Sequence, residues 1–456
     1  MAYQTVNPAN NQLIKSYPAH SDADVEAALK QADALYHSAW AKGDIAQRLP
    51  VLHKLADLID SRAEELAKIA SQEMGKLIKQ SRGEVKLCAQ IARYYADNAE
   101  RFLAPVKYPS ESGEAWVEHH PIGVLMAVEP WNFPYYQLMR VLAPNLAAGN
   151  PVIAKHASIV PHCAETFAQL VREAGAPEGA WTNLFISQDQ VAKIIADDRV
   201  QGVALTGSEK AGGIVAAQAA KHIKKATLEL GGNDVFVVLD DADLERAVKI
   251  GVQARLNNAG QVCTAAKRFI LHEKIAEPFL SKFSDAFRQV KIGDPLDEST
   301  TLGPLSSKDA LETLSKQVDE AVKHGAKLHL GGKPVSCEGN FYEPTILTGI
   351  TRDNPAYFEE FFGPVAQIYV VKDDDEAIAL ANDSHYGLGG AVFSQDIERA
   401  KRMASGIETG MVYINWLTDT APELPFGGVK RSGFGRELSD LGIKEFVNQK
   451  LVVVRR

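Results

Sequence analysis

The run NNAGQVCTAAKRF, residues 257–269, sets a lone cysteine among glycine and small residues, a context that suits a nucleophile. Gly260 lets the chain pass close to a ligand. Thr264, Ala265 and Ala266 are small and predict the opening of a helix; Cys263 would then sit at its positive end, where the thiol pKa falls and the thiolate is favoured. An arbitrary cysteine is more often a small core residue, so its meaning depends on partners elsewhere in the chain. Asn132, between Trp131 and Phe133 in PWNFP, reads by itself as a turn residue. Glu229 in LELGG is an acid in an apolar strand, followed by Gly231 and Gly232. Such an acid by itself is more often an edge residue or half of an ion pair.

The surrounding text predicts what holds these residues. Residues from about 22 to 102 carry apolar positions at helical spacing, with Asp22 or Asp24 as a cap for the first helix. The stretch 103–121 alternates as an exposed hairpin does. Short apolar runs then alternate with helical text: VLMAVE (124–129), PVIAK (151–155), TNLFIS (182–187), GVALTG (202–207) and ATLELGG (226–232). This alternation predicts an α/β fold, a parallel sheet covered by helices. A second α/β series begins at DVFVVLDD (234–241) and runs to about 431. The last residues, FVNQKLVVVRR, read as a strand that needs a partner, in the hairpin or in another subunit.

A chain of 456 residues is too long for one simple core, so two or three domains are expected. The net charge of -9 argues against nucleic-acid binding. The first twenty residues hold no apolar core, so no secretory signal is expected there, and no run is apolar for the ~20 residues of a membrane span. The four cysteines are widely spaced and form no Cys-x-x-Cys pair. Neither a disulfide framework nor a metal site is expected, and a reducing, cytoplasmic setting fits. His119 and His120 are adjacent, face opposite sides of a strand, and make a poor metal site.

Taken together, PWNFP (130–134), KHAS (155–158), TGS (206–208), LELGG (228–232), NAGQVC (258–263), EEFFGP (359–364) and PFGGVKRSGFGRE (425–437) resemble the aldehyde dehydrogenase superfamily along nearly the whole chain. The resemblance implies a Rossmann-like cofactor domain (1–102 and 122–231, with 432–446 returning to it) and an α/β catalytic domain (232–431). It also implies an oligomerisation segment (103–121 and 447–456) that makes a homodimer or homotetramer. It implies Cys263 as nucleophile, Asn132 with the Cys263 N–H as oxyanion site, and Glu229 as the base that hydrolyses a thioester. No G-x-G-x-x-G follows a strand; the family's variant places the pyrophosphate at the helix start after TGS. Gly207, Ser208 and Trp131 match the phosphate contacts. Lys155 matches the adenosine ribose contact, Glu360 and Phe362 the nicotinamide ribose contacts, and Gly231 leaves room for the cofactor. Glu437 matches an acid invoked in a proton relay, with a surface helix-start acid as the alternative.

Ser158 stands where many NAD-specific relatives carry a glutamate, which favours NADP, with NAD possible. After Pro134 at a helix start, Phe133, Tyr136, Gln137 and Arg140 share one face, with Leu138, Val141 and Leu142 on another. Arg140 on the ligand face would clamp a carboxylate. The chain is similar to succinate-semialdehyde dehydrogenases, which carry an arginine at this spacing and a hydroxyl before PFGG, matched by Thr420. It departs from some of them in having Asn257 in place of a second arginine, with Arg255 close by. It also has Ala265 in place of a second cysteine, so no local disulfide switch is expected. The resemblance implies oxidation of succinic semialdehyde to succinate. Alternatives are a broad aliphatic or aminoaldehyde dehydrogenase, or a non-catalytic member of the fold.

Overall fold

The computed structural model describes residues 3–455. The apolar runs at 124–129, 151–155, 202–207 and 226–232 form the core of a six-stranded sheet. Its order is Gly433–Phe434, Lys225–Glu229, Val200–Thr206, Val124–Glu129, Val152–His156 and Trp181–Asn183, all parallel except the first pair. Chain order reverses beside Val124–Glu129: the next strand lies on one side of it and Val200–Thr206 on the other. The crevice beyond the carboxyl ends of those two strands is where open α/β sheets bind ligands. PWNFP and TGS both follow these strands.

A seven-stranded sheet takes Lys327–Leu330, Thr345–Thr348, Val365–Val371, Arg268–His272, Val235–Val238, Gly390–Phe393 and Tyr413–Ile414 in that order; only its first pair is antiparallel. The third sheet joins Val447–Val454 to Glu114–Pro121 in antiparallel register, from Val447 opposite Pro121 to Val454 opposite Glu114, with Val106–Tyr108 beyond. The C-terminal strand thus pairs within its own chain.

Two local expectations are corrected, and one element is new. Ser21 caps the first helix, Asp22–Tyr36: its hydroxyl accepts the Asp24 N–H and the Asp24 carboxylate accepts the Ser21 N–H. The strand expected at 182–187 stops at Asn183, because Ser187 caps the helix Gln188–Ala196 in a box with Gln190. An N-terminal hairpin, Tyr3–Asn7 with Gln12–Tyr17, precedes the first helix; the turn text NPANN was its signal.

The helix Pro134–Ala148 is buried along its entire length, between Pro134 at its start and Gly149, whose φ of 98° ends it. It packs with the long helix Ile78–Leu103 in one hydrophobic core.

Candidate active site

The segment after Val124–Glu129 turns through Pro130–Phe133 and delivers Asn132 to the crevice. Asn132 is buried, and two bonds to its side-chain amide and one to its backbone carbonyl hold it. Nδ2 donates to the Gln261 carbonyl at 3.1 Å, Oδ1 accepts from Gln137 Nε2 at 3.4 Å, and the Asn132 carbonyl accepts from Asn258 Nδ2 at 2.9 Å. An amide nitrogen has two hydrogens, so one N–H remains for a ligand.

The loop that carries Cys263 is strained. Asn258, Ala259 and Gly260 adopt φ of 52°, 53° and 78° in succession. A non-glycine residue held there costs about 1–3 kcal/mol and persists only where its surroundings impose it. Arg255 imposes it from beneath: fully buried, it donates to the Gly260 carbonyl at 2.7 Å and to the Ala266 carbonyl at 3.2 Å. A Cβ on Gly260 would lie 2.2 Å from the Gly363 carbonyl oxygen, so only glycine fits.

The helix expected after Cys263 does not form. Residues 261–267 make a turn that runs into the strand Arg268–His272, because Lys267 enters the core and donates to the Val262 carbonyl at 2.9 Å and to the Cys263 carbonyl. No helix dipole acts on the thiol. Burial pushes Cys263 up to about 12, with Lys267 and Arg140 pulling the other way. Sequence reasoning missed Lys267; its signal was a lysine opening an apolar strand four residues after the cysteine.

Glu229 ends the strand Lys225–Glu229, opposite Thr206. Neither of its carboxylate oxygens has a hydrogen-bond partner. Burial, and then the charge of Glu437, hold its pKa well above the carboxylate range, against the pull of Arg140. Asn132, Gln137, Glu229 and Cys263 line one cavity of about 270 Å³ together with Trp131, Gly207, Ser208, Gly231, Glu360 and Phe362.

The second group of these residues, from Trp131 to Phe362, fits a dinucleotide. Ser208 caps the helix Glu209–Lys221 by accepting the Ala211 N–H at 3.2 Å. The space that a Cβ on Gly207 would fill meets nothing nearer than Leu205 at 3.8 Å, leaving the helix start open to an anion. Trp131 and Phe362 meet edge to face with centroids 5.7 Å apart. Glu360 accepts from the Gly232 N–H at 3.1 Å and pairs with Lys267 at 3.0 Å. A Cβ on Gly231 would strike Glu360 at 2.2 Å. Glu359 is exposed. Lys155, at the end of Val152–His156, faces the Tyr3 ring at 5.7 Å and forms no ion pair among the described residues, so it suits a phosphate. Ser158 does not cap the next helix, which begins at Pro161 after an uncapped Val160.

Arg140 is not where its spacing placed it. The guanidinium is buried at 2% exposure and paired with Glu437. It donates to Gln137 Oε1 at 2.7 Å, Thr206 Oγ1 at 2.9 Å and the Tyr136 hydroxyl at 3.2 Å. The guanidinium is therefore already paired rather than free, although Gln137 on the same helix face does line the cavity. Glu437 is correspondingly a core acid, not a surface one. Tyr136 connects Arg140 outward, with half-buried Thr420 beside its phenol.

A family model described as "Aldehyde dehydrogenase family" matches residues 1–452. This chain belongs to the aldehyde dehydrogenase family. It is 48% identical over 450 residues to a succinate-semialdehyde dehydrogenase [NADP(+)] of Deinococcus radiodurans, covering 99% of this chain and 94% of that one. It is 45% identical over 452 residues to a probable succinate-semialdehyde dehydrogenase [NADP(+)] of Synechocystis sp., covering 99% of each. Among solved structures it is similar, with a TM-score of 0.98, 49% identity and 100% of each chain covered, to succinic semialdehyde dehydrogenase from Streptococcus pyogenes in complex with NADP+.

Proposed function

We propose that this enzyme oxidises succinic semialdehyde to succinate with NADP as hydride acceptor. The observation that carries the reading is the single cavity shared by the Cys263 thiol, the free N–H of Asn132 and the partnerless carboxyl of Glu229. Cys263 gives up its thiol proton to solvent, and the thiolate attacks the aldehyde carbon. The carbonyl oxygen becomes an alkoxide between the Asn132 amide and the Cys263 backbone N–H. The chemistry a bound NADP supplies is acceptance of the hydride from that carbon, which leaves a thioester on Cys263. Glu229 takes a proton from water, the resulting hydroxide attacks the thioester carbon, and the acid leaves as the thiol is restored.

The names of the relatives support this substrate and cofactor. The corner formed by Tyr136, Thr420 and Arg140 receives the remote carboxylate, with Arg140 acting from beneath through its Tyr136-facing nitrogen. Lys155, Ser158, Ser208, Trp131, Glu360 and Phe362 hold the cofactor. In this reading the cofactor unit is 1–102, 122–231 and 432–446, and the catalytic unit 232–431. The sheet of 103–121 and 447–456 joins subunits in a homodimer or tetramer, because Tyr108, Leu451 and Val453 stand exposed on it. Among the described residues no helix is long and apolar enough to cross a membrane, and the four free cysteines suit the reducing cytoplasm.

The test is formation of NADPH from NADP, or of NADH from NAD, with succinic semialdehyde, butanal and an aminoaldehyde. Higher kcat/KM with butanal would remove the substrate assignment. Ser158→Glu should lower NADP efficiency far more than NAD efficiency, since it sets a carboxylate against the 2′-phosphate; an unchanged ratio would remove Ser158 from the cofactor site.

A further inference from the structure

Two side chains one turn apart on the helix Ile78–Leu103 reach the two halves of the site. Gln80 Oε1 accepts the backbone N–H of Asn258 at 3.3 Å, in the strained loop before Cys263. Glu84 Oε1 accepts the N–H groups of Tyr135 at 2.8 Å and Tyr136 at 3.1 Å, in the first turn after Asn132. Positions i and i+4 lie on one helix face.

The Glu84 bonds replace something missing. The helix Pro134–Ala148 has Phe133 at its cap position, with no side-chain cap bond of its own. A carboxylate from another helix takes the first free N–H groups and sits at the positive end of the helix. Its second oxygen pairs with Lys76, and both partners are completely enclosed, at 0% and 1% side-chain exposure. The Lys76 ammonium lies 3.6 Å from the Phe133 ring, beside Asn132. The oxyanion turn is thus gripped on both sides of the asparagine.

These grips matter because the two halves come from different sheets. Asn132 follows a strand of the six-stranded sheet, and Cys263 precedes a strand of the seven-stranded one. We infer that the Gln80–Glu84 face is a positioning device that ties both to one rigid helix and so sets the separation of the Cys263 sulfur from the Asn132 amide. Neither residue lines the cavity; Gln80 acts through Asn258, and Glu84 through Tyr135 and Tyr136. The inference rests on the reading of Cys263 as nucleophile and Asn132 as oxyanion donor.

Gln80 is half-buried near a helix start, so its variants spare the core. Gln80→Met keeps the shape and removes the acceptor; Gln80→Glu keeps the acceptor. With saturating NADP, single-turnover NADPH formation should slow on the order of 10-fold to 100-fold in Gln80→Met, as misplacement of reacting groups does. The aldehyde KM and the NADP dissociation constant should stay near wild type, and Gln80→Glu should recover the rate. For Glu84 the comparison is between two neutral pairs that leave no buried charge alone. Lys76→Met with Glu84→Gln retains an acceptor and should keep kcat; Lys76→Met with Glu84→Leu should lose it. A wild-type rate in Gln80→Met, Gln80→Glu as slow as Gln80→Met, or a defect confined to KM would overturn the inference. A fault in the underlying reading would show separately, as an active Cys263→Ser enzyme.

Discussion

On one side of the cavity Asn132, Asn258 and Gln261 hydrogen-bond to one another, and Arg255 and Lys267 fasten the backbone on either side of Cys263. On the other side Glu229 offers two oxygens that no donor reaches. Behind it lie two further buried acids, Glu437 and Glu129, with Arg140 as the cation that counters them. The first wall fixes where atoms sit; the second fixes how tightly protons are held. Acylation needs a nucleophile and an oxyanion donor at set positions. Hydrolysis of the thioester needs a base whose pKa lies near the working pH, and burial among like charges raises a carboxylate toward it.

The contrast is broken most severely at the sulfur. Cys263→Ser should fold and lose nearly all dehydrogenase activity, because a serine hydroxyl has no comparable activation on that wall. Retention of about a tenth of the wild-type rate would show that the pinned wall is not where acylation occurs. On the opposite wall Glu229→Gln should lower steady-state turnover on the order of 10²–10⁴-fold while leaving the first burst of NADPH intact. The acyl-enzyme should then be visible as added mass on Cys263. Absence of that adduct after a burst would take the base role from Glu229. No favourable hydrogen bond is lost in this change, so the melting temperature should not fall.

The two walls were unequally legible in the sequence. Strands such as Val124–Glu129 and Val235–Val238 were readable because buried parallel strands are continuous apolar runs. Asn132 and Glu229 could be picked out because each sits in a short motif at the end of such a run, and Cys263 because small residues surround it just before one. The environment of Cys263 was misread: small residues after it suggested a helix, but tertiary bonds from Lys267 and Arg255 decide the backbone there. Arg140 was misread for a related reason. Spacing on a helix gives a face, yet it cannot say that both faces are buried or that Glu437, far along the chain, will claim the guanidinium.

That pairing changes what removal of Arg140 should do. Arg140→Ala leaves Glu437 buried and unpaired, a loss of roughly 3–5 kcal/mol in stability, and the unfolding midpoint should drop whatever the substrate. Activity with butanal and with succinic semialdehyde should therefore both decline. Arg140→Lys keeps a charge for Glu437 and loses the planar fork. If the carboxylate is received at the Tyr136–Thr420 corner, this variant should lose about 10-fold more kcat/KM with succinic semialdehyde than with butanal. Equal losses would confine Arg140 to the proton-holding wall.

The smallest effect concerns the resting thiol, and it separates a helix-activated cysteine from one that is only well placed. At the positive end of a helix Cys263 would be largely thiolate at neutral pH, and its alkylation by iodoacetamide in the free enzyme would level off within that range. The turn at 261–267 offers no such end, and burial pushes the thiol up to about 12. Below such a pKa the neutral form dominates, and the thiolate fraction grows about tenfold for each unit of pH. The alkylation rate should then climb by about that factor per unit from mildly acidic to mildly alkaline pH, with no plateau. A plateau near neutrality would mean that Lys267 and Arg140 outweigh burial. The cysteine wall would then tune protonation as well as position, and the contrast between the two walls would dissolve.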